Sequence, residues 1–216
     1  MTRPPRIAPL GDAALTITFG PTIDSAAATA VARLAASATA RPPRGLVELV
    51  PGYTTLTAHF DLLATSFRQL ADDLTVLAAG PSQPDLGSSN RLIDIRVRYD
   101  GPDLADVAAR AGLSPAEVIG RHSALEYRVA LLGFVPGFGY LGPIDPKLVL
   151  PRRASPRTRV PAGSVAIGGA QTGIYPAETP GGWHLIGRTT AVMFDPARQP
   201  PALLAVGDRV RFVEER

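Results

Sequence analysis

A chain of 216 residues with 45% apolar side chains can bury a sizeable core and divide into one or two domains, which excludes a mini-protein or a disordered tail. No apolar run approaches the roughly 18 to 20 residues of a bilayer span, and no signal-type stretch follows Met1-Thr2-Arg3-Pro4-Pro5-Arg6, so a soluble cytoplasmic protein with no membrane partner is expected. The charge of +3 would suit nucleic acid, but Lys147 is the single lysine, the arginines are spread along the chain without aromatic interleaving, and no nucleic-acid partner is expected.

The first element is a strand: Leu15, Ile17 and Phe19 alternate with Thr16 and Thr18. An Ala-rich helix over 24–39 carries Ala27, Ala30, Val31, Leu34 and Ala38 at helical spacing, and Leu56, Ala58 and Phe60 then alternate as a second strand. Leu63, Phe67, Leu70 and Leu74 recur at helical intervals, which predicts a second helix. Residues 1–80 therefore read as a small α+β sandwich. Gly80-Pro81-Ser82-Gln83-Pro84-Asp85-Leu86-Gly87-Ser88-Ser89-Asn90 is polar and rich in Pro, Gly and Ser, so 81–90 reads as a linker.

Beyond it, Ile93, Ile95, Val97 and Tyr99 face one way while Asp94, Arg96 and Arg98 face the other, a strand with one wet side. A helix from Pro102 to Ala111 stops at Gly112. Ser114-Pro115-Ala116-Glu117 supplies a cap, a first-turn proline and a capping-box glutamate for a short helix through about Ala124. From Tyr127 onward short apolar runs are separated by Gly and Pro. Residues 1–80 hold 5 Gly and 7 Pro, whereas 131–190 hold 11 and 8, so the second region, 91–216, is expected to be a different architecture: a β-barrel with long loops.

The residues able to carry chemistry lie mostly in 133–189. Gly137, Gly163, Gly181 and Gly182 permit close backbone approach or tight turns, and Phe134, Tyr140, Gln171, Tyr175, Thr179, Trp183 and Arg188 gathered between them point to a pocket. Arg157 and Arg159 are two guanidinium forks in a Pro-bounded loop, suited to a carboxylate or phosphate, or simply solvated. His122 lies three and four residues after Ile119 and Val118, which turns it to the apolar side of its helix as either a general base or a hydrogen-bonded core residue. His59 and His184 are weaker candidates. Without cysteine, and with three scattered histidines, no metal site is expected. No phosphate-binding P-loop is present, because Lys147 follows Pro146, and Ser164 lacks the flanks of a nucleophile elbow.

The run Gly133-Phe134-Val135-Pro136-Gly137-Phe138-Gly139-Tyr140-Leu141, with Pro156-Arg157-Thr158-Arg159-Val160-Pro161-Ala162-Gly163-Ser164-Val165-Ala166-Ile167-Gly168, Gln171 to Pro176, Gly181-Gly182-Trp183 and Gly187-Arg188-Thr189, resembles the family of 5-oxoprolinase B subunits, also called the KipI or allophanate hydrolase subunit 1 family. The likeness extends from about Ile7 to Val213. It implies an α+β fold with a small N-terminal domain followed by a cyclophilin-like β-barrel that carries the site. It also implies one component of an ATP-dependent 5-oxoprolinase, a hydrolase, in which this chain works with a homologous C subunit to activate 5-oxoproline and an A subunit completes hydrolysis to glutamate. Other branches of the family imply alternatives: a histidine kinase inhibitor, or a carboxyltransferase-like component acting on urea or allophanate. Under the first reading ATP and Mg²⁺ are bound together with the partner. Arg157 and Arg159 neutralise anionic oxygens, Gly163 and Ser164 offer donors, His122 orients the substrate or exchanges a proton, and Tyr140 and Trp183 wall the site.

Overall fold

The computed structural model describes residues 5–21, 25–80 and 91–215. The chain falls into two compact units, Met1–Ser88 and Ser89–Arg216; the expected linker, 81–90, lies outside the described residues. No helix among the described residues is long and apolar enough to cross a membrane.

The first unit is a four-stranded antiparallel sheet with two helices. Its strands are β1 (Arg6–Pro9), β2 (Ala14–Thr18), β3 (Leu46–Pro51) and β4 (Thr55–Phe60), in the order β1-β2-β4-β3, with α1 (Ser25–Ala40) and α2 (Phe67–Ala79). Alternation along β2 and β4 places Leu15, Ile17, Leu56, Ala58 and Phe60 on one face, where they bury against Val31 and Leu34 of α1 and Leu70 and Leu74 of α2. The second helix begins later than its apolar spacing suggests. Ser66 and Gln69 form a reciprocal capping box that starts it at Phe67, and Leu63, in the preceding turn, is 96% exposed. The edge strands β1 and β3 escape the period-2 reading. In β3 a bulge between Leu46 and Glu48 breaks the alternation, and β1 is four residues long and ends at a proline that an edge position tolerates.

The second unit is built on a seven-stranded sheet. Its members are β5 (Leu92–Val97), β6 (Glu126–Leu132), β7 (Gly139–Gly142), β9 (Ser164–Gly168), β10 (Gln171–Ile174), β12 (His184–Arg188) and β13 (Arg209–Glu214), in the order β12-β9-β10-β7-β6-β13-β5. Only the β13–β5 pair among its ladders is parallel. The two edge strands meet: Arg98, continuing β5, and Arg188 of β12 exchange both backbone hydrogen bonds at 2.9 Å. That single bridge nearly closes the sheet into a barrel and leaves little unpaired edge. Two further strands, β8 (Arg157–Val160) and β11 (Thr179–Gly181), form a separate antiparallel ribbon.

The two helices of this unit follow the sequence signals closely. α3 (Leu104–Ala111) ends on Gly112 at φ +66°, and α4 (Pro115–Ser123) starts from the Ser114–Glu117 capping box. Residues from all seven sheet strands, among them Val97, Val129, Leu141, Ile167, Ile174, Ile186 and Phe212, join Val107 of α3 and Val118 of α4 in one continuous core. The nearly closed sheet has one interior, and this cluster fills it. Ala166 and Leu185 point to the opposite, outer face, where they meet Val160 of the β8–β11 ribbon together with Phe138, Tyr175 and Trp183.

Candidate functional site

The outer face of the barrel carries the aromatic residues that the sequence singled out. Gly133 donates its amide to the Phe138 carbonyl at 3.1 Å, closing the loop that joins β6 to β7. The loop drops Phe138 onto the sheet and leaves Phe134 above it. Phe138 is the hub: its ring centroid lies 4.9 Å from Tyr140, 5.3 Å from Tyr175, 5.5 Å from Trp183 and 5.6 Å from Phe134, all edge to face. Tyr140 and Trp183 stand 5.7 Å apart. These arrangements place the positive edge of one ring on the negative face of another. Phe138, Tyr175 and Trp183 are buried, Tyr140 is half-buried and Phe134 is 58% exposed. Burial pushes the Tyr175 hydroxyl above its ordinary pKa, against the opposing pull of a Trp183 backbone hydrogen bond and the Arg152 and Arg157 charges.

Cations ring this floor. The Arg152 guanidinium lies 6.0 Å from the centre of the Trp183 ring. Arg157 forms two hydrogen bonds to Asp103, at 2.8 and 2.7 Å, and Arg153 reaches the same carboxylate at 3.0 Å. Asp103 also accepts the Leu185 amide at 2.7 Å and is only 4% exposed. Burial is the strongest single influence on its carboxyl and opposes ionisation. The Arg157 hydrogen bonds, the Leu185 amide and the two guanidinium charges together outweigh it and hold the pKa below the ordinary range. Two partly buried cations therefore share one anion, and with Arg152 the patch keeps a positive surplus suited to an anionic group.

Several sequence expectations are corrected by this geometry. Arg157 and Arg159 lie on strand β8 rather than in a loop, and they have separate roles. Arg157 is engaged by Asp103, while Arg159 pairs with Glu178 at 2.7 Å with its side chain 77% exposed. Gly163 and Ser164 offer no free amide donors: the Gly163 amide is spent on the Tyr175 carbonyl at 2.7 Å and the Ser164 amide on Pro161 at 3.3 Å. Gly163 is glycine because its φ is +79° and a β-carbon there would strike the Thr189 carbonyl. Arg188 sits at the barrel seam, tied to Asp100 at 2.8 Å. Gln171 opens β10 opposite Gly168, and Thr179 and Gly181 lie in β11. Gly181 packs under the Tyr175 hydroxyl, the Gly182 carbonyl accepts the Arg153 amide, and Gly137 holds the 133–138 loop at φ +82°.

His122 is corrected most sharply. It is fully buried in the barrel interior, 4.5 Å ring to ring from Phe212. Thr172 donates its hydroxyl to the Ala166 carbonyl at 3.0 Å, so at 2.8 Å from His122 Nε2 its oxygen must accept the ring N–H. Nδ1 is then the acceptor for the Tyr99 hydroxyl at 2.7 Å. The chain Tyr99–His122–Thr172–Ala166 leaves no ring nitrogen for a substrate, and burial pulls the imidazole pKa down to about 3. This is a neutral, satisfied core histidine, not a general base. His184 is likewise buried, with Nε2 on the Pro151 carbonyl at 3.0 Å.

The sequence reading missed Phe138 as the hub, Arg152 as the cation over Trp183, and Asp103. The last carried a signal, since an aspartate just before a helix reads as an N-cap. Here its side chain makes no cap bond because the arginines and Leu185 occupy it.

Comparison with known proteins places this architecture. The profile of the family described as carboxyltransferase domain, subdomain C and D, matches residues 5–204. The 5-oxoprolinase B subunit of Escherichia coli O157:H7 is 44% identical over 211 residues, 96% of this chain and 94% of that protein. The chain belongs to the family of 5-oxoprolinase B subunits. Among solved structures, TTHA0988 is 41% identical with a TM-score of 0.84, and the match covers 94% of this chain but 40% of that one, so the family member described here spans about two fifths of that longer polypeptide. The urea amidolyase of K. lactis shares the fold, with a TM-score of 0.80 at 20% identity, over 98% of this chain and 15% of that enzyme.

Proposed function

We propose that the protein is the B subunit of an ATP-dependent 5-oxoprolinase, whose cyclophilin-like barrel, with a homologous C subunit, activates 5-oxoproline and passes it to an A subunit for hydrolysis to glutamate. The observation that carries the reading is the 44% identity, across 94% of its length, to a protein of that name. The longer TTHA0988 chain, in which the matching part is continuous with further sequence, supports a site completed by a second polypeptide segment.

In the chemistry proposed, the lactam oxygen takes the γ-phosphoryl group and ADP leaves. Water then adds to the activated ring carbon, the ring C–N bond opens with the amine leaving to give the acyl phosphate of glutamate, and a second water cleaves that mixed anhydride to glutamate and phosphate. Such transfer depends on positioning and charge neutralisation more than on covalent help from the protein. Arg152, Arg153 and Arg157 supply positive charge beside the aromatic floor, with Arg159 outside it. The described residues hold no cluster of three or more metal-ligating side chains, so Mg²⁺ is assigned to the triphosphate it enters with. His122 has no part in the reaction.

The test is ATP turnover by the purified chain, alone and reconstituted with homologues of the C and A subunits, with 5-oxoproline, urea and allophanate compared side by side. Turnover dependent on 5-oxoproline and on the partners is expected. Robust 5-oxoproline-dependent turnover by the lone chain would refute the shared site, and preference for urea would refute the substrate.

A further inference from the structure

Phe134 is the one described non-glycine residue with a positive φ, +72°. The Val135 amide donates to the Gly133 carbonyl at 2.9 Å, so Phe134 is the centre of a three-residue γ-turn of the rare positive-φ kind. A bulky aromatic residue in this region is strained, and glycine would hold the same turn without that cost. Burial does not explain the choice. The ring is 58% exposed and touches Phe138 and Tyr175 only edge to face, at 5.6 and 6.4 Å and interplanar angles of 82° and 89°. An exposed aromatic held at a conformational cost marks a contact made outside the folded chain itself.

We propose that Phe134 is the stacking wall of a ligand cleft on the outer face of the barrel, and that the cleft takes a flat ring bearing an anionic group. The γ-turn holds the phenyl ring out from the barrel, Phe138 and Tyr175 brace it from below, and Trp183 and the guanidinium of Arg152 complete the floor. The positive surplus of Arg152 and of the Arg153–Asp103–Arg157 group selects the anion, and Phe134 covers the ring. The two compounds that fit this chemistry under the function proposed above are ATP and 5-oxoproline; the choice of these two rests on that reading, whereas the aromatic wall does not.

Trp183, the single tryptophan of the chain, lies in this floor and reports binding directly. The experiment titrates the full chain with ATP, with 5-oxoproline and with adenosine, which has the flat base but no phosphates, following Trp183 fluorescence in the wild type and in Phe134→Ala, Phe134→Gly and Phe134→Tyr. ATP or 5-oxoproline should perturb the wild-type signal, and adenosine should bind more weakly than ATP. Phe134→Ala and Phe134→Gly should weaken binding about tenfold, the scale of one lost aromatic stack, and Phe134→Tyr should restore it. Both small variants lack the ring and only glycine relieves the turn, so Phe134→Gly should melt at or above Phe134→Ala. Unchanged affinity in Phe134→Ala overturns the proposal, as does a loss of affinity that merely follows a fall in Tm. A wild-type signal that responds to neither anionic compound also overturns it. If Phe134→Ala binds normally but no longer co-elutes with a homologue of the C subunit, the ring belongs to an intersubunit contact instead. If the wild-type chain binds and Phe134→Ala does not, yet the reconstituted complex fails to hydrolyse 5-oxoproline, the function fails and the stacking wall stands.

Discussion

His122→Gln separates a core histidine from a catalytic one. The folded imidazole, fully buried and pulled to a pKa of about 3, stays neutral down to strongly acidic pH, whereas the unfolded chain protonates it as pH falls below about 6.5. A depressed folded pKa means that the unfolded state binds more protons, so stability is fully present above pH 6.5 and is lost as pH falls toward 3. At 1.36 kcal/mol per unit of pKa difference, and allowing for partial protonation, His122 alone should remove about 2 kcal/mol between pH 7.5 and pH 5.0. Urea unfolding followed by Trp183 fluorescence reads this directly, because Trp183 lies in the same unit. In His122→Gln the amide can still accept from Tyr99 and donate to Thr172, imperfectly, at a cost of about 1 to 3 kcal/mol at pH 7.5. The variant cannot titrate, so its further loss on going to pH 5.0 should be smaller than that of the wild type by about 2 kcal/mol. Activity per folded molecule in the reconstituted complex should survive, since the residue meets no substrate. A variant with the wild-type pH slope, or one that folds normally but loses about 10²-fold or more in rate, would refute the reasoning.

Arg157→Ala and Arg159→Ala should diverge despite their shared strand. The first strips the bidentate partner from a buried carboxylate that retains only Arg153 and the Leu185 amide and should cost about 2 to 3 kcal/mol, while the second breaks an exposed pair and should leave the urea midpoint where it was; equal midpoints would sink the assignment. Gly168→Ala places a β-carbon 2.7 Å from the Trp183 ring. It should shift the fluorescence maximum and destabilise the second unit by about 1 to 3 kcal/mol through overpacking, and an unshifted spectrum at wild-type stability would contradict the packing described.

What could be read from the sequence follows the range of the signals. Helix ends were legible because their determinants are local: Ser114 and Glu117 are three residues apart, and Gly112 needs only its own φ. The wet strand at 93–99 was legible because its alternation is unbroken. The start of α2 was not, since Leu63 continues the apolar period while the cap at Ser66 decides the boundary. β8 was hidden because three consecutive polar residues, Arg157 to Arg159, precede its one buried side chain, Val160. In the site, the aromatic residues were visible one by one, but their convergence on Phe138 depends on which face of β9 each strand neighbour occupies. His122 was correctly placed on an apolar face. Its meaning depended on Thr172, fifty residues further on, and on a donor order that no periodicity records.

The division of labour between the two faces of the barrel follows from packing. The interior holds a continuous apolar core, and its polar chain from Tyr99 through His122 to Thr172 is saturated, so admitting a ligand there would mean breaking hydrogen bonds in a low-dielectric environment. The outer face has the opposite character: buried edge-to-face rings that brace an exposed one, a carboxylate outnumbered by guanidinium groups, and that exposed aromatic residue held against its backbone preference. Glycines at the junction serve this layering. A side chain at Gly168 would collide with Trp183, and one at Gly181 with the Tyr175 hydroxyl, so the first lets Trp183 lie close against the barrel wall and the second lets Tyr175 lie close against the ribbon. Two of the glycines that read in the sequence as part of a ligand-cradling loop are thus spent on packing the rings closely, and the exposed Phe134 and the arginines are what remain to meet a ligand.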